Sequence, residues 1–213
     1  EKGHVQKTLS EFRQGAIDIL LGTQMVAKGL NFPKVELVGI VLADSGMNIP
    51  DFRSQERTFS LLVQVSGRAG RYNDQGKVII QTFHPDNPAI QYALGGDVEG
   101  FYNEELVVRK ETGFPPYSRL INLVLRGRNQ KKVEAETAKL EALLQAASAH
   151  IKAEVLAAGE CPLEMIASNY RFHILVSGKD GSSAHHLVST VLASYTPPSA
   201  VYLEVDLDPL QLL

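Results

Sequence analysis

The sequence predicts two joined folds: an α/β segment built on a parallel sheet, then an α+β segment of split βαβ type. Three observations carry this. From residue 1 to about 98, short apolar runs alternate with amphipathic stretches at helical spacing, the pattern of strands alternating with helices. Residues 99–118 hold a short helical pattern stopped by TGFPPY, whose consecutive prolines cannot continue a helix. From 119 to 213 the order becomes strand, helix, strand, strand, helix, strand.

Taken in order, Val5, Leu9 and Phe12 recur at helical spacing, so a short amphipathic helix is expected up to Gly15. Residues 17–21 then read as a short apolar strand. Residues 35–42 are almost continuously apolar, the signature of a strand buried on both faces of a parallel sheet. Residues 53–65 form a helix whose apolar side is Phe59, Leu62 and Val63, and residues 77–83 are a further β-rich run. Sheets of this kind bind ligands at the carboxyl ends of their strands, where the intervening loops lie. In the connector, Phe101, Glu105 and Val108 give a short helix, and Pro115 biases Phe114 toward extended backbone.

Beyond it, residues 119–125 read as a strand. Val133, Leu140, Leu144, Ala147 and Ile151 then fall on one helical stripe. Residues 155–158 are short and extended, the weakest element. Phe172, Ile174 and Val176 alternate within residues 171–177, while Asn169, Tyr170 and Arg171 are expected in the loop before that strand. A helix over about 183–194 follows. Finally Val201, Leu203, Val205 and Leu207 alternate with Tyr202, Glu204, Asp206 and Asp208. This order is the ferredoxin-like topology.

Composition narrows the function classes. A chain of 213 residues that is 44% apolar can bury one large core or two small ones. With 21 Lys and Arg against 24 Asp and Glu, no global basicity advertises nucleic acid, so any such site must be a local patch. Cys161 is the only cysteine, which rules out an intrachain disulfide, and the six histidines lack metal-ligand spacing. The adjacent pair His185 and His186 points about 100° apart on a helix, which suits solvated surface better than a metal site. No apolar run reaches the roughly 18 residues of a membrane helix. The chain opens on Glu1 with no signal peptide, which reads as a start inside a longer, cytoplasmic protein.

The segment that carries chemistry is Gln64-Val-Ser-Gly67-Arg68-Ala-Gly70-Arg71. Two arginines three apart, with glycines beside them, suit a concave anionic ligand. Each guanidinium can fork onto phosphate oxygens while the glycines let the backbone approach. In a nucleotide hydrolase such an arginine stabilises charge on the transferring phosphoryl group, and Gln64 supplies an amide to orient a phosphate or a water. The bland alternative, arginines complementing a helix dipole, fits a lone Gly-Arg pair better than this full string.

This string resembles motif VI of superfamily 2 helicases, and the upstream loop from Gly22 to Pro33 resembles motif V. The stretch LADSGMNIPDFRSQERTFSLLVQVSGRAGR, with TFHPDNP, GFPPYS and the terminal LEVDLDP, is similar to the PriA (primosomal protein N′) family, so the resemblance spans nearly the whole chain. It implies the end of a RecA-like second helicase lobe over 1–98, a connector over 99–118, and a ribosomal-protein-like domain over 119–213 that binds DNA and partners. Arg71 and Arg68 would then reach the γ-phosphate, and Gln64 would couple that site to DNA. Gly67, Lys28, Gly29 and Asn31 would lie at the nucleotide, and Thr23 at the DNA backbone. Asn31 stands where the family commonly has Asp, which exchanges a charged hydrogen-bond acceptor for a neutral amide.

No phosphate-binding loop and no acidic Walker B strand are present. Asp44 follows an apolar strand but lacks the following Glu, and reads as structural or interlobe rather than as a magnesium ligand. The resemblance implies ATP and Mg2+ for the whole helicase, with this chain alone inactive. It also implies a zinc site that a single cysteine cannot make.

For nucleic acid, seven basic residues (Arg109, Lys110, Arg119, Arg126, Arg128, Lys131 and Lys132) stand against Glu111 alone, with Phe114 and Tyr117 among them. A solvated strand end is the plain alternative. Arg126, Arg128, Lys131, Tyr117 and Arg171 are the candidate DNA contacts, with Asn169 and Tyr170 beside Arg171 in the same further contact, and the acidic run at 204–208 is set outside the site because it repels phosphate. The expected partners are forked and single-stranded DNA, single-stranded DNA-binding protein and other primosome proteins, with no membrane. The whole protein is expected to be an ATP-driven 3′→5′ helicase that restarts replication. A non-catalytic ferredoxin-like module binding nucleic acid or protein is the alternative. It has no use for paired arginines beside Gln64, and other helicases of the superfamily leave GFPPYS and LEVDLDP unexplained.

Overall fold

The computed structural model describes residues 2–23, Phe32, 35–69 and 76–212. The chain divides into two compact units, Glu1–Ile49 with Arg53–Tyr102, and Pro50–Phe52 with Asn103–Leu213.

In the first unit, helix α1 spans Lys2–Gln14, and strands β1 (Leu37–Ile40) and β2 (Lys77–Ile80) pair in parallel, Leu37 opposite Lys77 and Ile40 opposite Ile80. Between them lie the single turn α2 (Asp44–Met47) and the long helix α3 (Ser54–Ala69). Helix α3 forms because Phe59, Leu62 and Val65 recur on one side, and all three are buried. Helix α4 (Pro88–Gly95) is bounded by local chemistry. The Asn87 side chain accepts the Ala89 N–H at 2.9 Å, Pro88 stands where no N–H is needed, and Gly96 closes the helix at φ 66°. The core gathers Ala43, Met47, Phe59, Leu62, Ala89, Ile90, Ala93 and Phe101, with the Phe59 and Phe101 rings stacked 3.9 Å apart. Phe101 comes from helix α5 (Val98–Thr112), which runs on into the second unit.

Two expectations for this unit fail. Residues 17–21 are not a strand, and Ile19 and Leu21 are exposed, with no neighbouring strand among the described residues to satisfy their backbone. Strand β1 is shorter than residues 35–42 and is not buried on both faces. Val38 and Ile40 turn toward the helices, while Leu37 is 57% exposed and Ile79 of β2 is 59% exposed. A continuous apolar run reports hydrophobicity, not whether a second layer covers it.

In the second unit, β3 (Arg119–Gly127), α6 (Gln130–Ser148), β4 (Ala153–Ile166), β5 (Asn169–Gly178), α7 (Gly181–Leu192) and β6 (Tyr202–Leu207) follow in order. The sheet runs β4-β5-β3-β6 with every neighbouring pair antiparallel, which is the split βαβ arrangement. Helices α6 and α7 cover one face. Val133, Leu140, Leu144, Ala184, Leu187 and Val191 meet Ile121, Leu123, Leu125, Phe172, Ile174 and Val176 in one core. Asn129 and Asp180 cap the two helices, accepting the Lys132 and Ser183 N–H groups. A smaller cluster joins Leu120, Leu175 and Leu212 to Phe52 and Phe114, whose rings stack 5.3 Å apart. Beside it, the Asp51 carboxylate accepts the Leu212 N–H at 2.8 Å.

The element at 155–158 is in fact a strand of 14 residues, β4. Gly159 and Pro162 do not end it: Gly159 keeps its regular pairing with His173, and Pro162 falls in the register shift between Glu160 and Met165, which this edge strand tolerates. Asn169, Tyr170 and Arg171 are likewise not a loop but the start of β5, and the turn between the strands is reduced to Ala167 and Ser168, both at positive φ.

Candidate nucleic-acid interface

Helix α3 carries the start of the arginine-rich motif. Gln64 and Gly67 are exposed, whereas Phe59, Leu62 and Val65 face the core, so the polar edge of the motif turns to solvent. A Cβ added at Gly67 would meet nothing within 4 Å, leaving room for an approaching group. Arg68 lies in the last turn of the same helix. Arg71, Lys28, Gly29 and Asn31 lie outside the described residues, and Thr23 is an exposed bend.

Asp44 is buried at 3% exposure and accepts the Thr82 hydroxyl at 2.8 Å and the Phe83 N–H at 3.0 Å. Burial alone would raise its pKa, but these hydrogen bonds outweigh it and hold the carboxyl below the usual range. The carboxylate therefore ties the end of β2 to the start of α2. No cluster of three His, Cys, Asp or Glu side chains occurs among the described residues, so they offer no donor set for magnesium or zinc. Cys161 is buried at the edge hairpin, and burial pushes its thiol pKa up against the opposing effect of Arg171.

The basic cluster of the sequence does not form one patch. Strand β3 runs through its middle, and at 3.3 Å per residue it separates Tyr117 from Arg126 by roughly 30 Å. Arg109 bonds Glu105 at 2.9 Å, reaches the Pro115 carbonyl, and lies over the Phe52 ring, so it braces the fold. Arg119 pairs with Asp208 at 3.3 Å, and Arg126 forms a close ion pair with Glu204. The acidic run thus lies directly beside the basic strand, because β6 pairs with β3. Arg171 is withdrawn from the surface: it is 9% exposed and its guanidinium donates to the Leu163 carbonyl at 3.4 Å. Tyr117 is exposed, but at the opposite end of β3 from the remaining cations.

Those cations border a cleft of about 580 Å3 where β3 ends and α6, β5 and β6 begin. Its lining is Arg126, Arg128, Asn129, Lys132, Asn169, Ser199, Ala200 and Tyr202. Arg128 and Lys132 are exposed and have no ion-pair partner among the described residues. Lys131 is exposed beside them but does not line the cleft. Tyr202 stands opposite Arg126 in the β3–β6 register, which brings the Arg126 guanidinium 5.0 Å from the centre of its ring. Gly127 makes the back of the cleft possible, since a Cβ there would lie 2.6 Å from the Ala200 carbonyl oxygen. The sequence alone marked Arg126, Arg128 and Asn169, and named Lys132 in the basic cluster without choosing it as a contact, but missed Asn129 and Tyr202. Tyr202 sits in an acidic stretch, and only the pairing of β6 with β3 turns its ring toward cations.

Residues 1–73 match the helicase conserved C-terminal domain, and residues 110–210 match the primosomal protein N C-terminal domain. The chain is 45% identical to the replication restart protein PriA of Treponema pallidum over 99% of its own length and 32% of that protein. It is 37% identical to that of Borreliella burgdorferi, covering 97% of this chain and 31% of the relative. Against that of Bacillus subtilis it is 40% identical, covering 100% and 27%. The chain therefore spans about a third of the length of the curated relatives it matches, or less.

Proposed function

Since this chain belongs to the PriA family across the segment it spans, we propose that it is the C-terminal part of an ATP-dependent 3′→5′ replication-restart DNA helicase. It supplies half of an ATPase site and a DNA-binding domain. The observation that carries the first half is the end of α3. Its apolar side is consumed by the core, and Gln64 and Gly67 are left facing solvent, where a second lobe holding ATP can meet them.

In this proposal the phosphate loop and Mg2+ belong to the longer protein. Arg71 and Arg68 reach the γ-phosphate and stabilise the charge that develops on it, an effect worth roughly 10³ to 10⁵ in rate when fully engaged. Gln64 links that site to the DNA, and Lys28, Gly29, Asn31 and Thr23 lie between nucleotide and DNA. The DNA-binding half of the proposal rests on the cationic cleft at Arg126, Arg128 and Lys132. Its partners are forked and single-stranded DNA, together with single-stranded DNA-binding protein and other primosome proteins. The work is done in the cytoplasm. No helix among the described residues is long and apolar enough to cross a membrane.

The test is an ATPase assay on the full-length helicase. Arg71→Ala should abolish DNA-stimulated ATP hydrolysis while leaving DNA affinity largely intact. Near-normal turnover by that variant would refute the arginine assignment, and turnover by the isolated 213-residue chain would refute the half-site.

A further inference from the structure

We infer that the cleft at the end of β3 is a seat for one unpaired nucleotide of a single strand, its base on the free face of Tyr202 and its phosphate between Arg128 and Lys132. This rests on the DNA-binding reading above and adds the form of DNA that the cleft selects.

The lining holds the two halves of such a ligand apart. One side is cationic: Arg128 and Lys132 are exposed without ion-pair partners among the described residues. They flank the first turn of α6, a helix of 19 residues whose amide dipoles add positive potential at the same place. The other side is aromatic. The Tyr202 ring is 56% exposed, and the Arg126 guanidinium lies 5.0 Å from its centre. A ring already in contact with a cation on one side and open on the other is a stacking platform. Asn129 and Asn169 add amides to the same lining, and the Asn169 NH2 group already donates to the Ala167 carbonyl at 3.1 Å. The Asn129 oxygen is occupied by the Lys132 N–H, so its NH2 group is the part left to donate.

Size and shape exclude the paired form. A cleft of about 580 Å3 falls within the ~300–1,000 Å3 range of small-molecule sites, enough for a nucleotide and too small for a duplex. In a duplex both faces of each base are already stacked and the aromatic platform has nothing to receive. An unpaired strand exposes base and phosphate together, which an aromatic ring and cations in one cleft can receive. The Ala200 carbonyl packs closely against Gly127 at one wall of the cleft.

The experiment compares binding of the full 213-residue chain to a short labelled oligothymidylate, to a blunt duplex of the same length, and to thymidine monophosphate, across a salt series. Tighter binding of the single strand is expected. Tyr202→Ala should weaken the single strand roughly tenfold while sparing the duplex, and Tyr202→Phe should keep wild-type affinity. Arg128→Ala combined with Lys132→Ala should lower the single-strand salt slope by about 0.7, the contribution of the one phosphate no longer neutralised. Tyr202 is exposed, so neither variant threatens the fold. Salt-sensitive binding that ignores Tyr202, or that falls equally for duplex and single strand, would overturn the inference and leave the basic cleft standing as a DNA-binding surface. Monophosphate binding as tight as the oligomer would assign the cleft to a free nucleotide instead. No binding of any DNA would overturn both this inference and the DNA-binding reading beneath it.

Discussion

The Leu212 amide offers a sharp test of what holds the second unit together. Its N–H is donated to the Asp51 carboxylate at 2.8 Å in a buried setting, and its side chain, 6% exposed, packs with Leu120 and Leu175. Asp51→Ala removes the acceptor and strands a buried donor, a loss of about 1–3 kcal/mol. Leu212→Ala removes most of a buried side chain and should cost about 2–5 kcal/mol, less where neighbours collapse into the space. The two positions touch, so the double variant should lose less than the sum, by about 0.5–3 kcal/mol. Asp51→Asn keeps an oxygen in the same place and should retain most of the stability. Because the chain has no tryptophan, urea unfolding is best followed by far-UV circular dichroism, with amide exchange in β3 and β5 identifying the transition of this unit. A transition unmoved by Asp51→Ala would refute the argument. So would an Asn variant as damaged as the Ala variant, since the oxygen acceptor would then not be what matters.

Two further outcomes follow. Burial, and secondarily the nearby Arg171 charge, hold the His173 pKa below its ordinary 6.5, so as pH falls the unfolded chain takes up the proton first. Stability of the second unit should therefore decline below about pH 6.5 and level off below the folded pKa, and His173→Gln should flatten that part of a urea-midpoint profile between about pH 8 and pH 5. In the first unit, Phe101→Ala removes a 2% exposed ring stacked on Phe59 and should destabilise by about 3–5 kcal/mol, read as a shifted transition with β3 and β5 amide protection unchanged.

The ferredoxin-like half was legible where periodicity and burial coincide. The stripe Val133, Leu140 and Leu144 packs against the sheet, and Phe172, Ile174 and Val176 point inward. Strand β4 was underestimated because Gly159 and Pro162 look like breakers, and their tolerance depends on lying at an edge, which no local pattern states. Arg171 misled for a related reason: its charge advertises surface, while the long partner strand supplies the Leu163 carbonyl that lets it be buried. The family was legible from the arginine-rich string and the segments around it, while Arg71 itself lies outside the described residues. The cleft was only half legible, because Arg126 and Arg128 sit together in sequence while Tyr202 is 76 residues from Arg126 and joins them through strand pairing.

The ion pair between Arg126 and Glu204 makes the cleft carry its own competitor. In the proposed complex, a phosphate that takes Arg126 would displace the Glu204 carboxylate that strand pairing tethers beside it, and that exchange would release no salt ion to the solvent. The site then behaves as an exchanger rather than a condenser of counterions. Its expected salt dependence therefore comes from Arg128 and Lys132 rather than from Arg126. A strand with several phosphates can hold the two unpaired cations first and contend with Glu204 afterwards. Within the acidic run, then, it is Glu204 that would contend with the proposed strand for Arg126, while Asp208 is engaged with Arg119 at the other end of β3.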